Sequence, residues 1–121
     1  MDNPEEVILN AELKQDFNVW SGQCLTVAEA ISDFFDGEVV LVSEIPYEGF
    51  DHACVEINGN LYDGSGKVGW TETLNRFLNP KSIREDPDEN FYYSENPRGK
   101  FPRAFDEELY EDIVSKLENE C

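Results

Sequence analysis

The chain has 121 residues, with 27 Asp and Glu against 9 Lys and Arg, a formal net charge of −18. That length suits one domain with a modest core. A hydrophobic share of 40% with 12% aromatics excludes a disordered acidic tail. So acidic a chain argues against direct binding to nucleic-acid backbones, and no run approaches the ~18 apolar residues of a membrane span.

Asn3-Pro4 reads as an N-cap followed by proline at the first helical position. A helix over 4–17 is predicted, with Leu9, Leu13 and Phe17 at four-residue spacing. Residues 19–23 form a connector. Cys24, Val27, Ala28, Ile31, Phe34 and Phe35 then recur at helical spacing and predict a second helix with a buried stripe. Asp36-Gly37 ends it. Glu38 to Ile45 is short and β-branched, a predicted strand stopped by Pro46. A loop over 47–51 follows.

His52–Ile57 and Asn60–Asp63 flank Asn58-Gly59, a strong hairpin signal. A two-residue turn pairs Ile57 with Asn60. Continued outward, the register sets Cys54 against Asp63 and His52 against Ser65. Alternation then puts His52, Cys54, Glu56, Leu61 and Asp63 on one face, and Ala53, Val55, Ile57 and Tyr62 on the other. His52 and Asp63 become diagonal neighbours, ~7–8 Å between their backbone positions and within side-chain reach. Gly64-Ser65-Gly66 breaks the second strand. Thr71 caps a short helix through Leu78, ended by Asn79-Pro80.

Residues 80–104 hold four of the six prolines and read as an irregular excursion with a short strand over 91–93. A last helix over 105–118 carries Phe105, Leu109, Ile113 and Leu117 on one face. Asp106, Glu107 and Glu108 lie in its first turn, where the helix dipole favours them. The expectation is a single α+β domain over 1–121 with its core in 20–79. A Cys-bearing helix packs on a small antiparallel sheet, and N- and C-terminal helices flank it.

The cysteines are Cys24, Cys54 and Cys121. Their odd number, without a secretion signal, argues against a disulfide framework and for a reducing, cytoplasmic setting. The single histidine means that any histidine chemistry uses His52. A thiol at a helix start feels the positive end of the dipole. A histidine can take its proton, and a carboxylate behind the ring fixes tautomer and orientation. Cys24, His52 and Asp63 supply nucleophile, base and orienter in that chain order. Gln23 is either an oxyanion donor or a polar helix-start residue. Trp20 either walls a cleft or packs in the core.

The segment from Ser21-Gly22-Gln23-Cys24 to Gly66 resembles the papain-like/transglutaminase-like superfamily of Cys-His-Asp enzymes. The resemblance rests on the Gly-x-Cys entry with Ala28 four residues on. It also rests on His52-Ala53 followed by a β-branched residue and Glu56, and on Tyr62-Asp63 after a tight turn. Cys54 stands where that superfamily often has Trp, and the interval from Cys24 to His52 is short for it. The resemblance implies Cys24 as nucleophile, His52 as base and Asp63 as orienter, with no cofactor. The function expected is a small cysteine hydrolase or acyl-transferase on a peptide or protein amide, or on a thioester.

Two other classes stand beside it. One is an inactive accessory protein of the same fold, of viral origin and virion-associated, docked on a basic protein surface. The other is an acidic mimic of nucleic acid. Residues 1–60 carry 13 acids and one base, a net −12, which fits a halophile-type solvated surface and disfavours a thiolate nearby. A zinc reading of His52, Cys54, Asp63 and Cys24 has a suitable N, S and O donor set. The lack of a CxxC loop sets it below the triad, so no metal is expected.

Overall fold

A computed structural model describes residues 3–13, 23–43, 52–78, 92–93 and 105–120. Helix α1 spans Pro4–Asn10, and Asn3 caps it through a 2.9 Å bond from the Glu5 N–H to its side-chain oxygen. The helix stops well short of 17. Ala11 is the C-cap, and Glu12 takes the left-handed conformation with φ 54°, which breaks the ladder. The buried face is accordingly Val7, Ile8 and Ala11, while Leu9 is 45% exposed. Residues 14–22, which include Phe17 and Trp20, lie outside the described residues, and so do residues 44–51, which hold the end of the predicted strand, Pro46 and the predicted loop over 47–51.

Helix α2, Cys24–Phe35, fits the predicted stripe. Its burial goes almost all the way round, from Cys24 to Ser32. The reason is that it packs between the sheet on one side and the C-terminal helix on the other. Asp36, with φ 57°, makes the left-handed cap. Gly37 has a different task. A Cβ there would fall 2.7 Å from Val55 Cγ1 and 2.9 Å from the Glu56 carbonyl oxygen, so only glycine admits this close approach to the sheet.

Strands β1 (Glu38–Val42), β2 (His52–Ile57), β3 (Asn60–Asp63), β4 (Gly66–Val68) and β5 (Tyr92–Tyr93) form one antiparallel sheet in the order β4-β3-β2-β1-β5. The β2–β3 hairpin has the predicted register, with Ile57 opposite Asn60 and Val55 opposite Tyr62. Asn58 and Gly59 both have positive φ, as a type I′ turn requires. Gly64-Ser65 ends β3 after Asp63, as expected, and is also the turn into a further strand, β4, which pairs Gly66 with Asp63. The β2–β3 ladder runs only from Ile57–Asn60 to Val55–Tyr62, so it does not extend to the expected pairs Cys54–Asp63 and His52–Ser65. Ser65 therefore does not face His52 across the ladder.

Helix α3, Trp70–Phe77, starts after Gly69, so Thr71 lies inside its first turn instead of capping it. Helix α4 spans Glu107–Asn119. Its N-cap is Asp106, whose carboxylate accepts the Leu109 N–H at 3.2 Å, so Asp106 precedes the first turn. Phe105 leaves the helical stripe and packs on Tyr110. Ile113 and Leu117 are fully buried. Except for β5, the 80–104 excursion lies outside the described residues, and so does Cys121.

The architecture is α+β in three layers. Val39, Leu41, Ala53, Val55, Ile57 and Tyr62 face α2 and α4. Val40, Val42, Cys54 and Leu61 face the other way, where Val68, Trp70 and Leu74 cover them. No described helix is long and apolar enough to cross a membrane.

Candidate active site

His52 opens β2. It pairs with Val42 across the ladder, and Cys54 pairs with Val40. Cross-strand partners share a face, so His52 points with Cys54 into the layer covered by α3. Asp63, two residues after Leu61, points the same way. His52 Nε2 lies 3.1 Å from Asp63 Oδ2, and both side chains are buried, 0% and 3% exposed. A carboxylate only accepts, so Nε2 carries the proton and Nδ1 is the basic ring nitrogen.

The carboxylate is itself held. Asp63 Oδ1 accepts the Ser65 backbone N–H at 2.7 Å and also the Ser65 hydroxyl. An Asp bonding the N–H two residues on is the local habit that builds an Asx-turn. The sequence Asp63-Gly64-Ser65 carries that signal, and Ser65 bonds Asp63 where strand pairing alone sets it against His52.

Cys24 is the first residue of α2 and is 6% exposed. It belongs to the layer on the Ala53 face, opposite His52. Cys24 nonetheless lies beside the start of β2, next to the Ala53 backbone. There the β2–β3 ladder has stopped, since its pairs run only from Ile57 back to Val55. The backbone N–H of Ala53, the residue after His52, interacts with the Cys24 sulfur, and the N–H groups of Leu25 and of Cys24 itself act on it from the helix start, all lowering the thiol pKa. Burial pushes the thiol pKa up, and the Asp63 carboxylate adds to this; the three N–H groups oppose it without overcoming it. At rest Cys24 is a thiol. The expected hostility of the field to a thiolate thus has a named source in Asp63, but desolvation is the larger cause.

Cys54 is fully buried. Burial, then Asp63, then Cys24 push its pKa well above the ordinary thiol value. The donor atoms of His52, Cys54 and Asp63 all lie within 4.8 Å of one another. Gln23 is half-buried just before α2; its carbonyl accepts the Val27 N–H at 3.1 Å, and its side chain does not cap the helix. Trp20 lies outside the described residues.

A cleft of about 300 Å³ opens beside the dyad, lined by Asp63, Ser65, Lys67, Val68, Glu72, Thr73 and Arg76. It gives solvent a route to the carboxylate side of the pair. No protein family, curated protein or solved structure matches this chain.

Proposed function

We propose that the chain is a small cysteine hydrolase or acyl-transferase acting on an amide or thioester. Cys24 is the nucleophile, His52 the base and Asp63 the orienter. The observation that carries this reading is the buried His52–Asp63 pair at 3.1 Å, at the strand end where the backbone N–H of the next residue, Ala53, interacts with the Cys24 sulfur. The chemistry is that of the papain-like/transglutaminase-like enzymes, which Ser21–Gly66 resembles.

Because burial holds Cys24 as a thiol, activation is coupled to attack. The sulfur bonds to the substrate carbonyl as its proton passes to His52 Nδ1. The imidazolium so formed is stabilised by Asp63 through Nε2–H, and returns the proton to the leaving amine or thiol. The N–H groups of Cys24, Leu25 and Ala53 stabilise charge gathering on the sulfur. Water, or a second amine, then releases the acyl group.

A small activated ester, p-nitrophenyl acetate, tests this with adduct mapping by mass spectrometry. An acetyl group is expected on Cys24 ahead of Cys121. His52→Gln should slow its formation by about 100-fold or more, in keeping with general-base contributions. Acetylation of Cys121 with Cys24 untouched would remove the reading.

The low exposure of Cys24, 6%, favours a second reading: the same scaffold with silent chemistry, docked on a basic protein surface. An unreactive Cys24, together with salt-sensitive binding to a cationic partner that Cys24→Ala leaves intact, would support it.

A further inference from the structure

Cys54 is a buried thiol that the proposed acyl transfer does not use, yet it sits against the dyad. We infer that His52, Cys54 and Asp63 form a binding site for a divalent cation of the zinc class. The donors are one imidazole nitrogen, one thiol sulfur and one carboxylate oxygen, a set matched to zinc and cobalt and poorly matched to magnesium or calcium. All three side chains are buried, and their donor atoms lie within 4.8 Å of one another. Zinc bonds of ~2.0–2.3 Å in tetrahedral geometry put ligand atoms about 3.5 Å apart. Nε2 and Oδ2, at 3.1 Å, are already near that separation, so closing the set needs a movement of about an ångström at Cys54.

The elements favour the site as well. His52 and Cys54 lie two apart on one strand face, and β3 delivers Asp63 beside them. Ser65 holds the far oxygen, Oδ1, in the manner of an outer-shell partner, leaving Oδ2 for an ion. Asp63 and Ser65 line the cleft, so an ion has a path to the carboxylate. Glu72 shares that rim with Lys67 and Arg76, so the entry carries both signs.

The proton balance follows from the donors. The Cys54 thiol releases one proton to solvent. The ring keeps its proton, which moves from Nε2 to Nδ1 as Nε2 takes the ion. A cation with one thiolate, one carboxylate and one neutral imidazole then leaves no net charge in the buried cluster. This step bears on the acyl transfer, insofar as that reading holds: a ring protonated at Nδ1 and ligated at Nε2 no longer accepts the Cys24 proton. The ion is an inhibitor of the base.

Cobalt(II) titration of the full chain tests the site. One ion per chain is expected, with a near-ultraviolet thiolate-to-cobalt absorption that excess magnesium does not erase. The band should persist in Cys24→Ser and Cys121→Ser and vanish in Cys54→Ser. The wild-type protein supplies a check that needs no variant. With a single histidine, the ring 15N signals are unambiguous, and zinc should move Nε2 and transfer the proton to Nδ1. No band and no ring shift at saturating metal would overturn the site, as would a band that survives in Cys54→Ser. Because the cobalt band is read in Cys24→Ser, the site stands or falls independently of the acyl-transfer chemistry.

Discussion

Asp63 is the residue on which most of the candidate site turns. One oxygen serves His52 and the other serves Ser65 twice. Asp63→Asn keeps the shape but presents an amide where the ring needs an acceptor. In the proposed chemistry it should lower the rate of Cys24 acetylation by about 10²–10⁴-fold with little change in the amount of folded protein, measured by adduct kinetics and circular dichroism. The two buried thiols have a separate signature in stability. Both have folded-state pKa values raised above the ordinary value of about 8.5. Their contribution is complete below that value and is lost as pH rises towards the folded-state values, because the unfolded chain then gives up protons that the folded chain keeps. Urea midpoints should therefore fall between pH 8 and 10, and Cys54→Ala should flatten that decline while lowering stability overall.

Among the elements, α2 is held from two sides, and each side can be loosened alone. Gly37→Ala forces a methyl into Val55, Ile57 and the Glu56 carbonyl and should cost about 1–3 kcal/mol. Ile113→Ala empties a fully buried position between α4 and α2 and should cost about 2–5 kcal/mol. Denaturant unfolding reads both. The same elements show what sequence periodicity can and cannot reach. The α2 stripe, the Asn58-Gly59 turn and the β2–β3 register are local patterns, and they appear in the fold as the spacing predicts. The side of the sheet that receives α2 is not local. It depends on Val55 and Ile57 meeting α2 while Cys54 and Leu61 meet α3, and that put Cys24 and His52 on opposite faces. Strand β4 is hidden in the sequence because Gly66 looks like a breaker, whereas it opens the strand with a φ of 113°, a conformation that glycine adopts freely. Spacing alone overextends helix α1, because Leu9 and Leu13 fall at helical spacing although Glu12 interrupts the helix between them.

For the whole molecule, charge acts through solvent more than through any one contact. Among the described residues the basic side chains are Lys67, Arg76 and Lys116, and two of these line the cleft. Elsewhere the charged side chains of the described residues are almost all acidic and repel one another. Raising salt from about 10 mM to about 1 M shortens the screening length from ~30 Å to ~3 Å, so the thermal midpoint should rise across that range. A flat or falling midpoint would mean that the acids are held in local pairs instead.

The contact between α4 and α2 spans most of the chain. Asp106 donates its backbone N–H to the Thr26 hydroxyl across 80 positions, and Tyr110 bonds Asp33 across 77. Residues that make the outer wall of the core thus leave the ribosome long after the helix they cover. In the interval, the β2–β3 hairpin can form from neighbours in sequence, whereas α2 keeps one apolar flank in water. The nascent chain is at its stickiest between the synthesis of Phe35 and that of Leu117, and the acids spread along it are then its protection against meeting another copy.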